Sequence, residues 1–190
     1  MRLLFAGKTL FAQSGYEQTS TSAIARAAGT SESQLMRYFG GKAGLLDAIF
    51  NESWSALTES VGTAISDAPH AREAILALMG LMLTALTRDP ELAVLFLFEG
   101  RRMRGATHEV ALSKGFVKFW ELLCHLIARG QSEGSFRADV QPVVLASAML
   151  GCAEGMMRDR LLAERGVPPN PFGEAAVRST FEAMVNGLAP

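Results

Sequence analysis

An all-α chain of about nine helices is the fold class this sequence predicts, and three observations predict it. Apolar residues recur at three- and four-residue spacing along most of the chain, as in Leu45, Leu46, Ile49, Phe50, Trp54, Leu57 and Val61. No segment alternates apolar and polar residues in the way a half-buried strand must. Helix boundaries also carry their own chemistry. Ser20, Ser31, Asp89-Pro90 and Gln141-Pro142 stand where helices should begin, and Gly15, Gly29 and Gly40 where they should stop.

The first helix is expected over Arg2 to Ser14, ended by Gly15. The stretch Thr19 to Lys42 then holds two short helical patterns around one tight turn. Ser20 caps the first, which buries Ile24, Ala25 and Ala28 and stops at Gly29, where a left-handed backbone costs glycine little. Ser31 caps the second, and Gln34 three residues later completes an S-x-x-Q capping box, with Leu35 and Phe39 facing inward. Two helices of this length around such a turn fit a helix-turn-helix, whose second helix offers N-terminal side chains to the major groove. The residue types suit that task. Gln34 can pair with adenine edges and Arg37 with guanine or phosphate, Ser33 permits close approach, and Tyr38 and Lys42 reach backbone oxygens. An ordinary helical hairpin with a solvated polar face is the competing reading.

The flanks decide between them. Leu3, Leu4, Leu10 and Phe11, Gly15-Tyr16, Thr19-Ser20, Ile24-Ala25, Ala28-Gly29, Ser31, Leu35, Arg37-Tyr38-Phe39, Lys42 and Leu45-Leu46 lie in one register over residues 3 to 50. In these positions the stretch resembles the N-terminal domain of the tetracycline-repressor (TetR) family of transcriptional regulators. The resemblance implies a three-helix DNA-binding domain, residues 1–44, followed by an all-helical effector-binding and dimerisation domain, residues 45–190. It implies DNA contacts from Thr19, Ser20, Thr21, Ser31, Ser33, Gln34, Arg37, Tyr38 and Lys42. Met36 stands where the family usually has a tyrosine on the DNA backbone, and Ala43 replaces a common glutamate.

Composition bounds the rest. A chain of 190 residues, 49% of them hydrophobic, can bury a sizeable core. A formal net charge of −1 is not that of a bulk polyanion binder, yet residues 1–50 carry Arg2, Lys8, Arg26, Arg37 and Lys42 against Glu17, Glu32 and Asp47. That local positive excess suits a domain facing phosphates. Cys124 and Cys152 lie far apart with no C-x-x-C spacing, which reads as free thiols in a reducing cytoplasm. Arg2 to Phe5 is no signal peptide, because Lys8 interrupts the apolar run too early. Uncharged runs such as Ile75 to Thr87 are shorter than the roughly 20 residues a membrane span needs.

Along the remainder, Lys42 opens a long amphipathic helix that links the two domains and is the natural lever between them. Ala68-Pro69 breaks it. Ala71 to Arg88 is apolar nearly all round, which calls for burial on several sides. Asp89 and Pro90 start the next helix, whose apolar content is Leu92 to Phe98. Glu99 to Gly105 is a charged loop. A long helix follows over about Thr107 to Glu133, then one over Val143 to Leu162, the linker Gly166 to Pro171, and a last helix over Phe172 to Leu188.

No catalytic motif appears, and the chain reads as a non-enzyme without cofactor or metal. Glu121 and His125 fall four apart, but no third ligand is placed beside them. The helices at 71–88 and 107–133 carry more large apolar side chains than two neighbours readily cover. Met79, Met82, Phe116, Phe119 and Trp120, with Cys124 and His125 as polar anchors, are therefore the candidate pocket for a small hydrophobic effector. By resemblance the last two helices pair with their copies in a homodimer, on Leu145, Met149, Met156, Phe181, Met184 and Val185. The expected function is a ligand-responsive dimeric regulator, a repressor released from a palindromic operator in double-stranded DNA, acting in the cytoplasm with no membrane partner. The alternative is a helical small-molecule carrier or small enzyme using the same apolar cavity.

Overall fold

The computed structural model describes residues 2–100, 112–166 and 172–189, and leaves the side chains of 60, 63, 64 and 66 undescribed. The described residues form nine α-helices and one π-helical turn, with no strand among them. In order they are α1 (Arg2–Ser14), α2 (Thr21–Ala27), α3 (Glu32–Phe39), α4 (Lys42–Ser66), α5 (Ala71–Arg88), α6 (Pro90–Val94), the π turn (Leu95–Glu99), α7 (Lys114–Ser132), α8 (Pro142–Ala163) and α9 (Glu174–Asn186). The expected loop at 101–105, the first residues of the helix expected from Thr107, and the linker residues 167–171 lie outside the described residues.

Contacts divide the chain into two compact units, Met1–Ala56 with Leu86–Val117, and Leu57–Ala85 with Lys118–Pro190. In the first, α1, α2 and α3 close around Phe11, Ile24, Leu35 and Leu45, all essentially removed from solvent. Gly7 lets α1 approach α4 closely, since a Cβ there would lie 2.7 Å from Leu45 Cδ2. The unit extends beyond the three helices expected to act together. Lys8 of α1 pairs with Asp89, and Thr9 Oγ1 donates to Glu91 Oε2 at 2.9 Å, so α1 is tied by polar contacts to the start of α6. Trp54 stacks on Phe96 with ring centroids 4.7 Å apart and meets the edge of Phe116 at 5.8 Å.

The π turn was not foreseen. The apolar run Leu92 to Phe98 has no gap to mark a change of helical period, yet the widened turn buries Leu95, Leu97 and Glu99 together while Phe96 reaches Trp54.

The second unit packs the later part of α4 with α5, α7, α8 and α9 around Ile75, Leu78, Leu123, Leu126, Ile127 and Leu150. Phe136 plugs the end of α7. A Cβ at Gly130 would lie 2.2 Å from its ring, so only glycine admits it. The start of α5 is held by Glu133, whose Oε2 accepts from the Ala71 N–H at 2.9 Å while Oε1 accepts from Arg129 Nε at 2.6 Å.

Candidate DNA interface and ligand cleft

The geometry of α2 and α3 follows from their caps. Ser20 Oγ accepts from the Ala23 N–H at 3.1 Å and Ser31 Oγ from the Gln34 N–H at 3.2 Å, each with extended backbone at the cap. Gly29 (φ 61°) and Gly40 (φ 69°) take the left-handed conformation at the two helix ends, as their positions predicted. The capping box is present in its serine half. The Gln34 carboxamide oxygen accepts instead from the Thr30 hydroxyl, one residue before the cap.

Leu35 is fully buried and fixes α3 against its own domain, while Phe39 is only half-buried. The opposite face is open. Ser33, Gln34, Met36, Arg37 and Tyr38 are exposed, Tyr38 at 64%. Arg37 lies over the Tyr38 ring, 4.8 Å from its centroid, and donates to Tyr38 Oη at 2.9 Å, so cation and phenol project as one block.

Three of the residues expected to touch DNA have other work. Thr19 is 5% exposed and donates to the carbonyls of Gly15 (2.8 Å) and Leu10 (3.2 Å), closing the end of α1. Its hydroxyl is spent inside the domain. Thr21 donates to the Glu32 carboxylate and ties α2 to α3. Lys42 Nζ donates to the carbonyls of Tyr16 (2.9 Å), Glu17 (3.1 Å) and Thr19 (3.3 Å) and lies 4.5 Å from the Tyr16 ring centroid. An ammonium has three N–H donors, and here all three find carbonyls. Lys42 was expected to reach a backbone phosphate, and in this structure its ammonium is engaged within the domain. Ser20 and Ser31 stay exposed at the helix N-termini beside Ser33, Gln34, Arg37 and Tyr38.

These features match what the family comparison finds. Residues 3–49 fit the model of bacterial regulatory proteins of the tetR family. Over those residues the chain matches the DNA-binding domain of that family. Beyond it, the chain is 25% identical over 154 residues to the fatty acid metabolism regulator protein of Bacillus subtilis (strain 168), covering 79% of this chain and 76% of that protein. Among solved structures it is similar to FadR from Bacillus subtilis in complex with stearoyl-CoA (TM-score 0.86, 17% identity, 100% of this chain and 99% of that one). It is also similar to the fatty acid degradation regulator FadR from Bacillus halodurans (TM-score 0.85, 19% identity, 98% and 93%). Those two likenesses show a shared fold over nearly the whole chain.

The second unit holds a small, open apolar cleft between α5, α8 and α9. Leu76, Met79, Gly80, Met82 and Leu83 line it from α5, Ala153, Met156 and Met157 from α8, and Val177, Arg178, Phe181 and Glu182 from α9. This is a different wall from the expected one. Met79 and Met82 are in place, but Phe116 packs on Trp54, Phe119 is 2% exposed, Trp120 and Cys124 are half-buried on α7, and His125 is exposed beside Glu121. Burial pushes the Cys124 thiol up from its ordinary value, which makes it a poor nucleophile at neutral pH. Among the described residues no group of three or more His, Cys, Asp or Glu could hold a metal ion.

The expected dimer residues face mostly inward in this chain. Leu145, Met149, Phe181 and Val185 are buried within the protomer, and Met156 and Phe181 line the cleft. Amphipathic spacing picked out the inward stripe of these two helices. Outward stand Val144, Ser147, Ala148 and Gly151 on α8, and Ala176, Thr180 and Ala183 on α9. Met184 is half-buried with its sulfur 3.1 Å from that of Cys152. Arg178 and Glu182 of the cleft went unnoticed in the sequence, where their spacing looks like any solvated i, i+4 pair on a helix face.

Proposed function

We propose that this chain is a dimeric transcriptional regulator that reads a palindromic operator through α3 and is released from it by a hydrophobic, acyl-bearing effector. The observation that carries the DNA half is the open face of α3, where Ser33, Gln34, Arg37 and Tyr38 project from a helix locked by a serine cap and a buried leucine. Residues 1–44 act on DNA and residues 45–190 hold the effector and the dimer face. The likeness to fatty acid regulators, one of them solved with stearoyl-CoA, supports an acyl effector, and the methionine-lined cleft has the apolar walls such a chain needs. No helix among the described residues is long and apolar enough to cross a membrane, and we place the protein in the cytoplasm as a regulator rather than an enzyme or carrier.

Selection of bound sequences from a random duplex pool, followed by mobility shift, tests the reading. A palindrome with half-sites about one helical turn apart is expected. Gln34→Ala and Arg37→Ala should each relax the choice of one base at a cost of about 1–3 kcal/mol. Uniform weakening across all sequences would instead make these residues phosphate contacts. Adding an acyl thioester should lower operator affinity, and by reciprocity operator should lower ligand affinity by the same factor.

A further inference from the structure

A helix that enters the major groove needs cations on the flanking phosphates, because those contacts supply much of the affinity and fix the register. The cations of residues 1–50 are Arg2, Lys8, Arg26, Arg37 and Lys42. Most of them are already committed. Lys42 gives its donors to the carbonyls of Tyr16, Glu17 and Thr19. Lys8 is paired with Asp89, and Arg37 lies over the Tyr38 ring on the reading face. Arg2 and Arg26 are left. Both are exposed, and among the described residues neither makes an ion pair or a side-chain hydrogen bond.

These two arginines stand beside one turn. Arg2, in the first turn of α1, reaches across to the turn between α2 and α3, where a Cβ built on Gly29 would lie 3.7 Å from its Nη1. Arg26 is in the last turn of α2, one turn of chain before Gly29. Just past Gly29, Ser31 caps α3.

We infer that Arg2 and Arg26 form a clamp on the operator's backbone phosphates beside the groove that α3 enters. The inference rests on the DNA reading above. In a helix-turn-helix the first helix crosses the backbone and the second enters the groove by its N-terminus, so the turn between them borders the phosphates at the groove's edge. The positive end of α3 begins at the same turn and adds to the field there. Glu32, the acidic residue of that first turn, accepts from the Thr21 hydroxyl and from neither arginine. Phosphate oxygens accept from a guanidinium whatever the base beside them, so the clamp adds affinity and register but no sequence choice.

Fluorescence anisotropy of the full-length protein tests this, on the selected operator and on a scrambled duplex of the same length, over about 50–200 mM KCl, where each phosphate contact contributes about 0.9 to the slope of log affinity against log salt. Arg2→Gln and Arg26→Gln should each lower that slope by about 0.9 on both duplexes, and the double variant by about twice as much, with base preference unchanged. Arg2→Lys and Arg26→Lys should restore it, because the charge is what releases the counterion. Arg165→Gln, which removes the same charge from an exposed site in the second unit, should keep the native slope. Native melting points are expected throughout, since neither arginine has a partner to lose. A native slope in either glutamine variant, an equal fall in Arg165→Gln, or a changed choice of base would each overturn the clamp. The two readings fail separately. A sequence-specific operator bound with native slopes by the glutamine variants defeats the clamp alone, whereas slopes that fall as expected on duplexes bound without sequence preference defeat the operator reading alone.

Discussion

Lys42 is the side chain whose role changes most once its surroundings are known. Its ammonium bridges the turn between α1 and α2 to the first residue of α4, and its three donors are satisfied by carbonyls. Hydrogen bonds from a charged group are stronger than neutral ones, so Lys42→Ala should cost the fold on the order of 1–2 kcal/mol, allowing for its half-exposure. The α2 N-terminus would lose its anchor, and binding to every operator should weaken alike. The slope of log affinity against log salt should meanwhile stay within one unit of the native value, because the lysine does not release a counterion from a phosphate it does not touch. A thermal melt and a salt titration on one variant check both halves. A native melting point with a slope reduced by one or more would restore Lys42 as a phosphate contact. Nothing in the one-dimensional pattern separates these roles, since a lysine at a helix start after two glycines suits either.

Close approach between elements is equally silent in the sequence. A Cβ at Gly44 would lie 1.9 Å from the Phe39 carbonyl oxygen, so the junction of α3 and α4 is built on the absence of a side chain. Gly44→Ala would improve helix propensity on paper. In this structure it should destabilise the DNA-binding domain by about 1–3 kcal/mol, as overpacking does, and lower operator affinity because α3 is displaced. Chemical denaturation of the variant decides whether propensity or packing wins. Helix boundaries, by contrast, were legible: α1 and α5 fall on the expected residues, and the caps at Ser20, Ser31 and Asp89 all accept the predicted N–H or one beside it. Local chemistry sets those ends, whereas the cap of α5 comes from Glu133, remote in sequence. The Ala71 N–H first, and Arg129 after it, hold the Glu133 carboxyl below its ordinary range. A carboxylate lowered in the folded state stabilises fully above its unfolded value, and that stabilisation is lost as pH falls through the folded value. Melting points followed downward through the acid range should therefore fall more steeply for the native protein than for Glu133→Gln, which should already be the less stable of the two at neutral pH. Parallel curves would deny the cap any part in acid sensitivity.

At the scale of the molecule, a helix-turn-helix that reads one half-site gains useful affinity by pairing with its copy, and the second unit is where the proposed symmetric surface lies. Periodicity in α8 and α9 was legible, but each helix has two faces and only burial tells which is already used. Leu145, Met149, Phe181 and Val185 fill the protomer's own core. The remaining face is exposed and built from small residues: Val144, Ser147, Ala148 and Gly151 recur at three- and four-residue spacing on α8, and Ala176, Thr180 and Ala183 do so on α9. At Gly151 an added Cβ would meet nothing within 4 Å, so the protomer itself makes no demand for glycine there. A second copy packed on this face would, because helices can approach closely only where side chains are small. Two classes of substitution should therefore separate cleanly. Ala148→Arg should leave helical content and melting of the protomer near native while light scattering falls from the dimer mass to the monomer mass, and operator affinity should collapse with it. Met149→Glu, one residue away but pointing inward, should lower the melting point by burying an unpaired carboxylate, whether or not a dimer can form. If instead Ala148→Arg remained a dimer at micromolar concentration and bound operator normally, the partner surface would lie elsewhere, and the two recognition helices would have to be spaced by a different pair of elements.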